Sequence, residues 1–182
     1  MRISSLEIPG VLLIEPAVHG DARGFFLESY RRDIFRNAGV NDKFVQDNHS
    51  HSGKGVLRGL HYQLKHPQAK LVRAVRGAIF DVAVDVRRGS PTFGQWVGEQ
   101  LSEENKRMLY VPAGFAHGFC TLAETTDVLY KCSDYHHPQD ERGILWSDPD
   151  LAIEWPEMQF LLSERDRVHP VLKNAQDLPD YR

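Results

Sequence analysis

Short apolar runs separated by turn residues constrain the fold of this chain more than any other feature of its sequence. In the clearest run, Ala78 to Val86, phenylalanine and valine residues alternate with aspartate and alanine. A period of two is typical of a strand with one apolar face. Similar runs predict strands over residues 11–14, 44–51, 56–63, 70–76, 94–101, 108–111, 117–122 and 127–134. This many short strands predict an all-β protein, an antiparallel sandwich or jelly roll.

Helical signals are few. Residues Arg31 to Ala38, followed by Gly39, predict one brief helix that the glycine ends. After Pro138, proline, aspartate and tryptophan become frequent, which favours short helices over strands. Ser163 to Asp166 has the Ser-x-x-Asp spacing of a helix N-terminus. Since the sequence contains no repeat or linker, residues 1–182 are predicted to form a single jelly-roll domain, with a helical or irregular segment from about residue 138.

Composition and charge narrow the range of partners. The formal net charge of -3 gives no general reason to expect nucleic acid or a membrane as a partner. The N-terminus lacks an apolar signal core and no apolar run approaches membrane-spanning length, so a cytoplasmic location is expected. Cys120 and Cys132 both lie in apolar runs, which predicts buried reduced thiols rather than a disulfide framework.

The stretch from Val56 to Gln63 carries two polar groups within an apolar strand pattern. Arg58 and His61 are costly to bury unless they are paired or used, because removal from water disfavours charge. Strict alternation would turn the two side chains to opposite faces of a strand. A bulge at Gly59 would bring both to the same pocket.

Other polar residues extend this pocket. Gln46 and Asn48 are two residues apart, so a strand turns both to one face. Lys70 begins a further strand, and Tyr130 lies in the middle of one, where a buried hydroxyl needs a partner. We therefore expect a polar, basic pocket lined by several strands, with His61 as its proton acceptor.

A catalytic metal is not expected in this pocket. The run from Pro112 through Gly114 to His117 resembles the second motif of metal-binding cupins. The first motif of a metal cupin contains His-x-His and a glutamate, whereas the corresponding stretch here reads His61-Tyr-Gln. The pair His49-x-His51 would have to supply the absent ligands from a different strand.

Without a metal, His61 would itself act on the substrate. A histidine titrates near neutral pH and suits a general base when a carboxylate fixes its tautomer. An isolated histidine is more often a core residue bonded to a backbone carbonyl. Arg58, Lys70 and Tyr130 favour the catalytic interpretation, because a base, a hydroxyl acid and a cation together suit proton abstraction beside a carbonyl.

Several motifs, in one order from about Ile3 to the Ser163 segment, closely resemble the dTDP-4-dehydrorhamnose 3,5-epimerases. They are Arg23-Gly-Phe-Phe-Leu-Glu28, Gln46-Asp-Asn48-His-Ser, Lys54-Gly-Val-Leu-Arg58-Gly-Leu-His61-Tyr-Gln63, Lys70-Leu-Val-Arg, Ser90-Pro-Thr-Phe-Gly, Val111-Pro-Ala-Gly-Phe-Ala-His117-Gly-Phe, Leu129-Tyr130-Lys-Cys and Glu141-Arg-Gly-Ile. The resemblance implies a dimeric, cofactor-free and metal-free jelly roll of the cupin group. Its implied substrate is dTDP-4-dehydro-6-deoxy-D-glucose, inverted at C3 and C5 to give the L-rhamnose precursor.

The resemblance also implies residue roles. His61 matches the proton acceptor, Asp166 its paired carboxylate, Tyr130 the acid on the opposite face, and Lys70 the group that steadies the enolate oxygen. The implied nucleotide and sugar contacts are Arg23, Glu28, Gln46, Asp47, Asn48, Arg58, His117 and Glu141. The implied thymine-stacking residues are Phe25 and Tyr135, one of which the partner subunit could supply. Three positions depart from the family at the pocket rim: Arg165 replaces lysine, His51 arginine and His136 tyrosine.

Three alternatives remain open at this point. A 3-only or 5-only epimerase of a related dTDP-4-keto-6-deoxy sugar would share most of these residues. A non-catalytic sugar-nucleotide binding module would explain Arg23, Arg58 and the aromatic residues, but not the combination of His61, Asp166 and Tyr130. A metal-dependent cupin oxygenase is the weakest alternative, since its first ligand motif is incomplete.

Overall fold

The computed structural model describes residues 1–181, which form thirteen strands, one α-helix and one 3₁₀ turn. The strands are β1 (Arg2–Ser5), β2 (Leu12–Glu15), β3 (Val18–Asp21), β4 (Gly24–Leu27), β5 (Gln46–Ser52), β6 (Leu57–Gln63), β7 (Lys70–Arg76), β8 (Ala78–Asp85), β9 (Trp96–Ser102), β10 (Met108–Val111), β11 (Phe115–Thr121), β12 (Thr126–Cys132) and β13 (Glu141–Gly143). Helix α1 spans Arg32–Asn37, and the 3₁₀ turn spans Leu172–Asn174. No helix within residues 1–181 is both long and apolar enough to cross a membrane.

The strands form two antiparallel sheets and a separate hairpin. The first sheet has six strands in the order β1-β2-β10-β7-β12-β5, and the second has five in the order β13-β6-β11-β8-β9. Strands β3 and β4 pair only with each other. This arrangement of two facing antiparallel sheets confirms the predicted all-β, cupin-like jelly roll. The single-domain assignment over residues 1–182 stays a prediction.

Three apolar clusters hold the layers together. The central cluster lies between the sheets and draws on both, for example Val72 and Val128 from the first sheet and Ile79 and Phe119 from the second. A second cluster covers the outer face of the five-stranded sheet with side chains of the C-terminal segment, including Leu151, Leu172 and Leu178. A third packs Phe35 of α1 and Val40 onto the outer face of the six-stranded sheet.

Strand β8 has the alternating faces that its sequence predicted. Val82 and Val84 face outward into the second cluster, beneath the C-terminal segment. The opposite face is also buried, since Asp81 and Asp85 have no exposed surface. The prediction of one apolar face is therefore right, and the polar face points into the space between the two sheets.

The C-terminal segment is mostly irregular, which is one of the two forms predicted for it, but it lacks the α-helices that were favoured within residues 138–181. Residues 141–143 form β13, which pairs with β6, and the remainder to residue 181 is irregular apart from the 3₁₀ turn. Ser163 accepts a hydrogen bond from the Asp166 backbone N–H at 3.1 Å, but a turn rather than a helix follows. The expected helices are therefore wrong, because prolines such as Pro156 and Pro170 restrict the preceding residue and remove backbone donors.

Other predictions are confirmed with small changes. Helix α1 lies within the predicted range, and Gly39 after it has a φ of +92°, which favours glycine. Cys120 and Cys132 are free and buried, and burial raises the pKa of the Cys120 thiol to about 11. Strands β1, β3, β4 and β13 were not predicted, since each has only three or four residues and the β3–β4 region carries turn residues.

Candidate active site

A polar cleft lies between the two sheets near their β5 and β13 edges. It consists of two cavities of about 190 and 280 Å³ that share His61, Lys70 and Tyr130 in their walls. The first is also lined by polar groups of Gln46, Asn48, Gln63, Gln68, His136 and Glu141. The second is also lined by Ser50, Arg58, His117, Ser163, Arg165 and Asp166. Most residues of the predicted pocket are therefore brought together.

His61 is held by a buried carboxylate. Its Nε2 lies 2.6 Å from Oδ1 of Asp166, which comes from the C-terminal segment 105 residues later. Burial raises the pKa of the Asp166 carboxyl, but the nearby His169 and His61 rings outweigh burial and hold that pKa well below its ordinary value. Asp166 is therefore an anion that fixes the His61 ring and can stabilise its protonated form.

The second nitrogen of His61 is free to take a proton. His61 Nδ1 lies 4.0 Å from Oε1 of Glu141, beyond hydrogen-bond distance, and the His61 side chain is 27% exposed. Since Asp166 occupies Nε2, Nδ1 is the nitrogen that can act as a base toward a molecule in the cleft.

A bulge in β6 brings Arg58 and His61 to the same cleft. His117 pairs with His61 and Phe119 with Arg58, so two residues of β6 lie opposite Gly118 alone. Gly59 has a φ of +126°, and a Cβ at this position would lie 2.5 Å from the Gly118 Cα. Only glycine permits this close approach of the two backbones, and the predicted bulge at Gly59 is confirmed.

Lys70 and Tyr130 enter the cleft from the opposite sheet. They lie on the neighbouring strands β7 and β12, with Tyr130 paired to Val72 and Asn48. Burial lowers the pKa of Lys70, and the charge of Glu141 acts in the opposite direction. Burial raises the pKa of Tyr130, so its phenol carries a proton that it can donate. His61 and Tyr130 thus approach the cleft from opposite walls.

A second histidine–carboxylate pair lies in the wall of the cleft, which His117 lines. His117 Nε2 is 2.8 Å from Oδ1 of Asp81, and both side chains are buried. Burial lowers the pKa of His117 although Asp81 opposes this effect, so a neutral imidazole is favoured. The Asp81 Oδ2 atom has no hydrogen-bond partner within residues 1–181. The negative charge of Asp81 raises the pKa of Lys70 and so opposes the larger effect of burial.

Glu141 connects His136 and Arg165, two of the three positions at which a departure from the resembled family is expected. The third, His51, is exposed on β5 and lines neither cavity. His136 Nε2 lies 2.7 Å from Oε2 of Glu141, and the Arg165 guanidinium lies 2.9 Å from Oε1. Burial raises the pKa of Glu141, but His136, His61 and Arg165 together bring it below its ordinary value. The departures at 136 and 165 therefore keep polar contacts at the mouth of the cleft.

Three predicted substrate contacts lie on or beside the β3–β4 hairpin and do not line the cleft. Arg23 pairs with Asp21 at 2.5 Å, and the Phe25 ring lies beneath the Lys106 ammonium at 4.1 Å. Glu28 is 3.8 Å from Arg31. The Phe25 side chain is exposed. Their roles stay predictions.

Two further contacts lie outside the cleft. Asp47 lies on the outer face of β5, where it binds Lys131 at 2.8 Å. Tyr135 is 61% exposed on the loop after β12, and its ring lines neither cavity. Alternation along β5 turns Asp47 away from Gln46 and Asn48, because adjacent residues of a strand face opposite sides. Tyr135 lies on a loop, where spacing does not indicate the direction of a side chain.

Two groups of residues within 1–181 have the donor types of a metal site. They are His61 and Asp166 in the cleft wall with His169 beside them, and His66, Asp134 and His137 on the loops at the mouth of the cleft. The pair His49 and His51 lies elsewhere, on exposed positions of β5 where both rings contact Asp127. These two histidines do not complete a cupin metal site, and the absence of a catalytic metal stays a prediction.

Several residues of the cleft were not predicted. Gln63 connects the loop after β6 to the loop after β12, because its side chain donates to the His66 carbonyl and accepts from the His137 N–H. Asp81 could have been suspected, because it is an acidic residue in an alternating strand. His169 carried no signal, since its proximity to His61 depends on the path of an irregular segment.

Comparison with known proteins agrees with this geometry. The family model described as dTDP-4-dehydrorhamnose 3,5-epimerase matches residues 5–174. The enzyme of that name from Pseudomonas aeruginosa is 57% identical over 181 residues, covering 98% of this chain and 100% of its own.

Solved structures show the same likeness. A dTDP-6-deoxy-D-glucose-3,5-epimerase from Legionella pneumophila, in complex with dTDP-4-keto-L-rhamnose, matches with a TM-score of 0.96 and 51% identity, over 100% of this chain and 98% of that one. A 3'-monoepimerase from Streptomyces bikiniensis, in complex with dTDP-quinovose, matches with a TM-score of 0.92 and 39% identity, over 97% and 92% of the two chains. With a family model over nearly its whole length and relatives above half identity, the chain belongs to the dTDP-4-dehydrorhamnose 3,5-epimerase family.

Proposed function

We propose that this chain inverts C3 and C5 of dTDP-4-dehydro-6-deoxy-D-glucose to give dTDP-4-dehydro-L-rhamnose. The observation that carries the proposal is the His61–Asp166 pair, which faces Lys70 and Tyr130 across one polar cleft. The family relationship supports it, and so does the product-like ligand named for the Legionella relative.

The first step is removal of a carbon-bound proton by His61. Both inverted carbons flank the C4 ketone, which makes their hydrogens acidic. His61 Nδ1 takes the proton, and the C–H electron pair forms an enolate whose negative charge rests on the C4 oxygen. Asp166, bonded to Nε2, stabilises the imidazolium that results.

Lys70 stabilises the enolate. Its ammonium lies in the cleft wall, and no ion pair within residues 1–181 involves it. An ammonium directed at the oxygen on which charge develops lowers the barrier more in a partly dry cleft than in water. Because both carbons share this ketone, one base and one cation serve two successive inversions.

Tyr130 returns a proton to the opposite face. Its phenol passes a proton to the enolate carbon, and the enolate electron pair forms the new C–H bond. The tyrosinate then regains a proton from solvent, and the His61 imidazolium releases to solvent the proton that it took. Inversion needs a donor and an acceptor on opposite faces of the sugar. This need matches the entry of His61 and Tyr130 from different sheets.

Arginine side chains suit the diphosphate. Arg58 lines the cleft and bonds Ser52 at 3.0 Å, and its guanidinium can bind phosphate oxygens in a bidentate manner. We propose that a homodimer completes the site, with Arg23, Phe25 and Glu28 presented by the hairpin of one copy to the cleft of the other. Neither nucleic acid nor a membrane is proposed as a partner, and a cytoplasmic location stays a prediction.

A 3-only or 5-only epimerase is the second candidate, and the likeness to the Streptomyces 3'-monoepimerase supports its 3-only form. The residues of the chemistry do not distinguish the two, because each half-reaction uses the same base, cation and acid. The difference lies in how many carbons reach His61.

The test is to incubate the protein with the dTDP-keto-sugar in heavy water and count deuterium by NMR. Deuterium at C3 and C5 supports the proposal, deuterium at one carbon supports the monoepimerase, and none supports a non-catalytic binding module. His61→Ala should abolish exchange at both carbons while dTDP still binds. Loss of a general base commonly costs about 10² to 10⁴ in rate. Normal exchange in that variant would contradict the proposed role of His61.

A further inference from the structure

A second imidazole lies on the carboxylate that holds His61. His169 Nε2 is 3.6 Å from Oδ1 of Asp166, the same oxygen that binds His61. The two rings are nearly perpendicular, with centroids 5.6 Å apart. Asp166 is therefore shared between two histidines, although the chemistry above uses only one.

The His169 ring is held firmly in this position. It packs on Gly143, where an added Cβ would lie 2.4 Å from the ring nitrogen, so the ring occupies the space of a missing side chain. Gly143 is paired with His61 across β13 and β6. Backbone bonding fixes the next residue as well, because Leu145 N–H donates to the Pro170 carbonyl at 2.8 Å.

The Nε2 atom of His169 is buried, and no hydrogen-bond partner within residues 1–181 lies at normal distance. A buried polar atom in this situation is costly unless it serves a nearby charge. Among residues 1–181, Asp166 is the only carboxylate that forms an ion-pair contact with His169. A small shift of either group would make a hydrogen bond to that oxygen.

We propose that His169 is a positioning residue, which orients Asp166 and takes up part of its charge, so that the protonated form of His61 is not stabilised too strongly. This inference rests on the proposed function. A carboxylate bonded to one imidazole alone would hold the His61 proton longer, whereas a second N–H on the same oxygen weakens that hold.

Other charged groups near His169 must be considered. The outer side of the His169 ring faces a separate surface cavity. The titratable and charged side chains that line this cavity are Tyr62 from β6, Glu141 and Arg142 from β13, and Arg165 and Asp177 from the C-terminal segment. Glu141 is bound by Arg165 and His136, and Arg142 by Asp177 at 3.0 Å. These pairs satisfy each other, which leaves Asp166 as the partner of His169.

The experiment compares two substitutions at position 169. His169→Phe keeps a ring against Gly143 but removes the N–H, whereas His169→Gln keeps an amide N–H that can reach Asp166. Val168→Ala alters an exposed neighbour and serves as control. For each protein, the pH profile of kcat, the KM, the melting temperature and the NMR titration of the His61 ring are measured.

We expect His169→Phe to move the acid limb of kcat and the His61 titration upward by about one pH unit. Such a shift lowers kcat about tenfold on that limb, with KM changed less than twofold. The His169→Gln and Val168→Ala variants should have the same pH profile of kcat and the same His61 titration as the wild type. A Phe variant with an unchanged profile and titration overturns the inference, and so does equal impairment of Phe and Gln without a pH shift. An inactive wild type would instead refute the proposed function, while the His61 titration would still test His169.

Discussion

Replacing Asp166 by asparagine perturbs the one contact that fixes the His61 ring. Asp166 is 4% exposed and accepts from His61 Nε2 at 2.6 Å. Asparagine has nearly the same shape, so packing against the C-terminal segment is kept while the charge is lost. Its amide can also donate to Nε2, which would place the ring proton on Nδ1, the nitrogen that must be free.

The expected fall in kcat follows from two changes, which are the loss of the Asp166 charge and the loss of the correct His61 tautomer. A hydrogen bond to a charged group contributes about 1.5 to 3 kcal/mol. Since about 1.4 kcal/mol corresponds to a factor of ten in rate, loss of the charge alone lowers kcat about 10-fold to 10²-fold. The wrong tautomer adds to this, so we expect a total between about 10² and the 10⁴ that limits general base catalysis.

The assay is a comparison of three proteins in heavy water with the dTDP-keto-sugar. Asp166→Asn should lose deuterium exchange at both carbons in the same proportion, since one base serves both. Binding of dTDP, measured by calorimetry, should change less than about threefold. Glu164→Gln is the matched control, because Glu164 lies in the same turn with its side chain 96% exposed and only a distant contact to Arg167. We expect that control to match the wild type.

Exchange in Asp166→Asn at more than about half the wild-type rate would refute the reasoning. It would mean that the pair seen between His61 and Asp166 is structural, and that proton removal does not depend on the Asp166 charge. A variant that loses exchange at only one carbon would also contradict it, because separate bases would then act at C3 and C5.

The remaining predictions concern the acid, the metal and the stability of the β8 loop. Tyr130→Phe should keep deuterium exchange but lose inversion, which NMR of the recovered sugar distinguishes. Dialysis against a chelator should leave kcat within twofold, whereas a metal-dependent cupin would lose activity. Burial raises the pKa of Asp85, but hydrogen bonds from Arg87, Ser90 and Thr92 bring it to about 2, below its ordinary 3.8. Its stabilisation is thus complete above about pH 4 and is lost as the pH falls through 2. The gap in unfolding free energy between wild type and Asp85→Asn should shrink by about 2 kcal/mol from pH 5 to pH 2, as urea titration can measure.

The alternating runs predicted much of the sandwich because strand geometry turns every second side chain to one face. Gln46 and Asn48 therefore lie together on β5, and Tyr130 lies opposite Asn48 on β12. The bulge at Gly59 was also predictable, since a glycine between two costly polar groups marks an irregular strand. These features depend on neighbours in sequence, for which spacing is informative.

Contacts between distant segments could not be obtained in this way. Asp166 meets His61 across 105 residues, and only the resemblance to known epimerases paired them before the structure. Its Ser-x-x-Asp spacing predicted a helix instead. That local signal was outweighed because the Asp166 side chain turns to His61 and Pro170 follows four residues later. The hairpin residues Arg23 and Phe25 pose a similar problem, since their proposed ligand lies on a second copy of the chain.

Strand β8 shows why an alternating pattern alone cannot separate a solvent face from a functional cleft. Its valines are buried under the C-terminal segment, and its aspartates are buried between the sheets. A buried aspartate must be paired, and its partners determine whether it contributes to stability or to the site. Asp85 binds Arg87, Ser90 and Thr92 and closes a loop, whereas Asp81 binds a histidine that lines the cleft. Two aspartates on one face of one strand therefore serve stability and the site respectively, and only their contacts distinguish them.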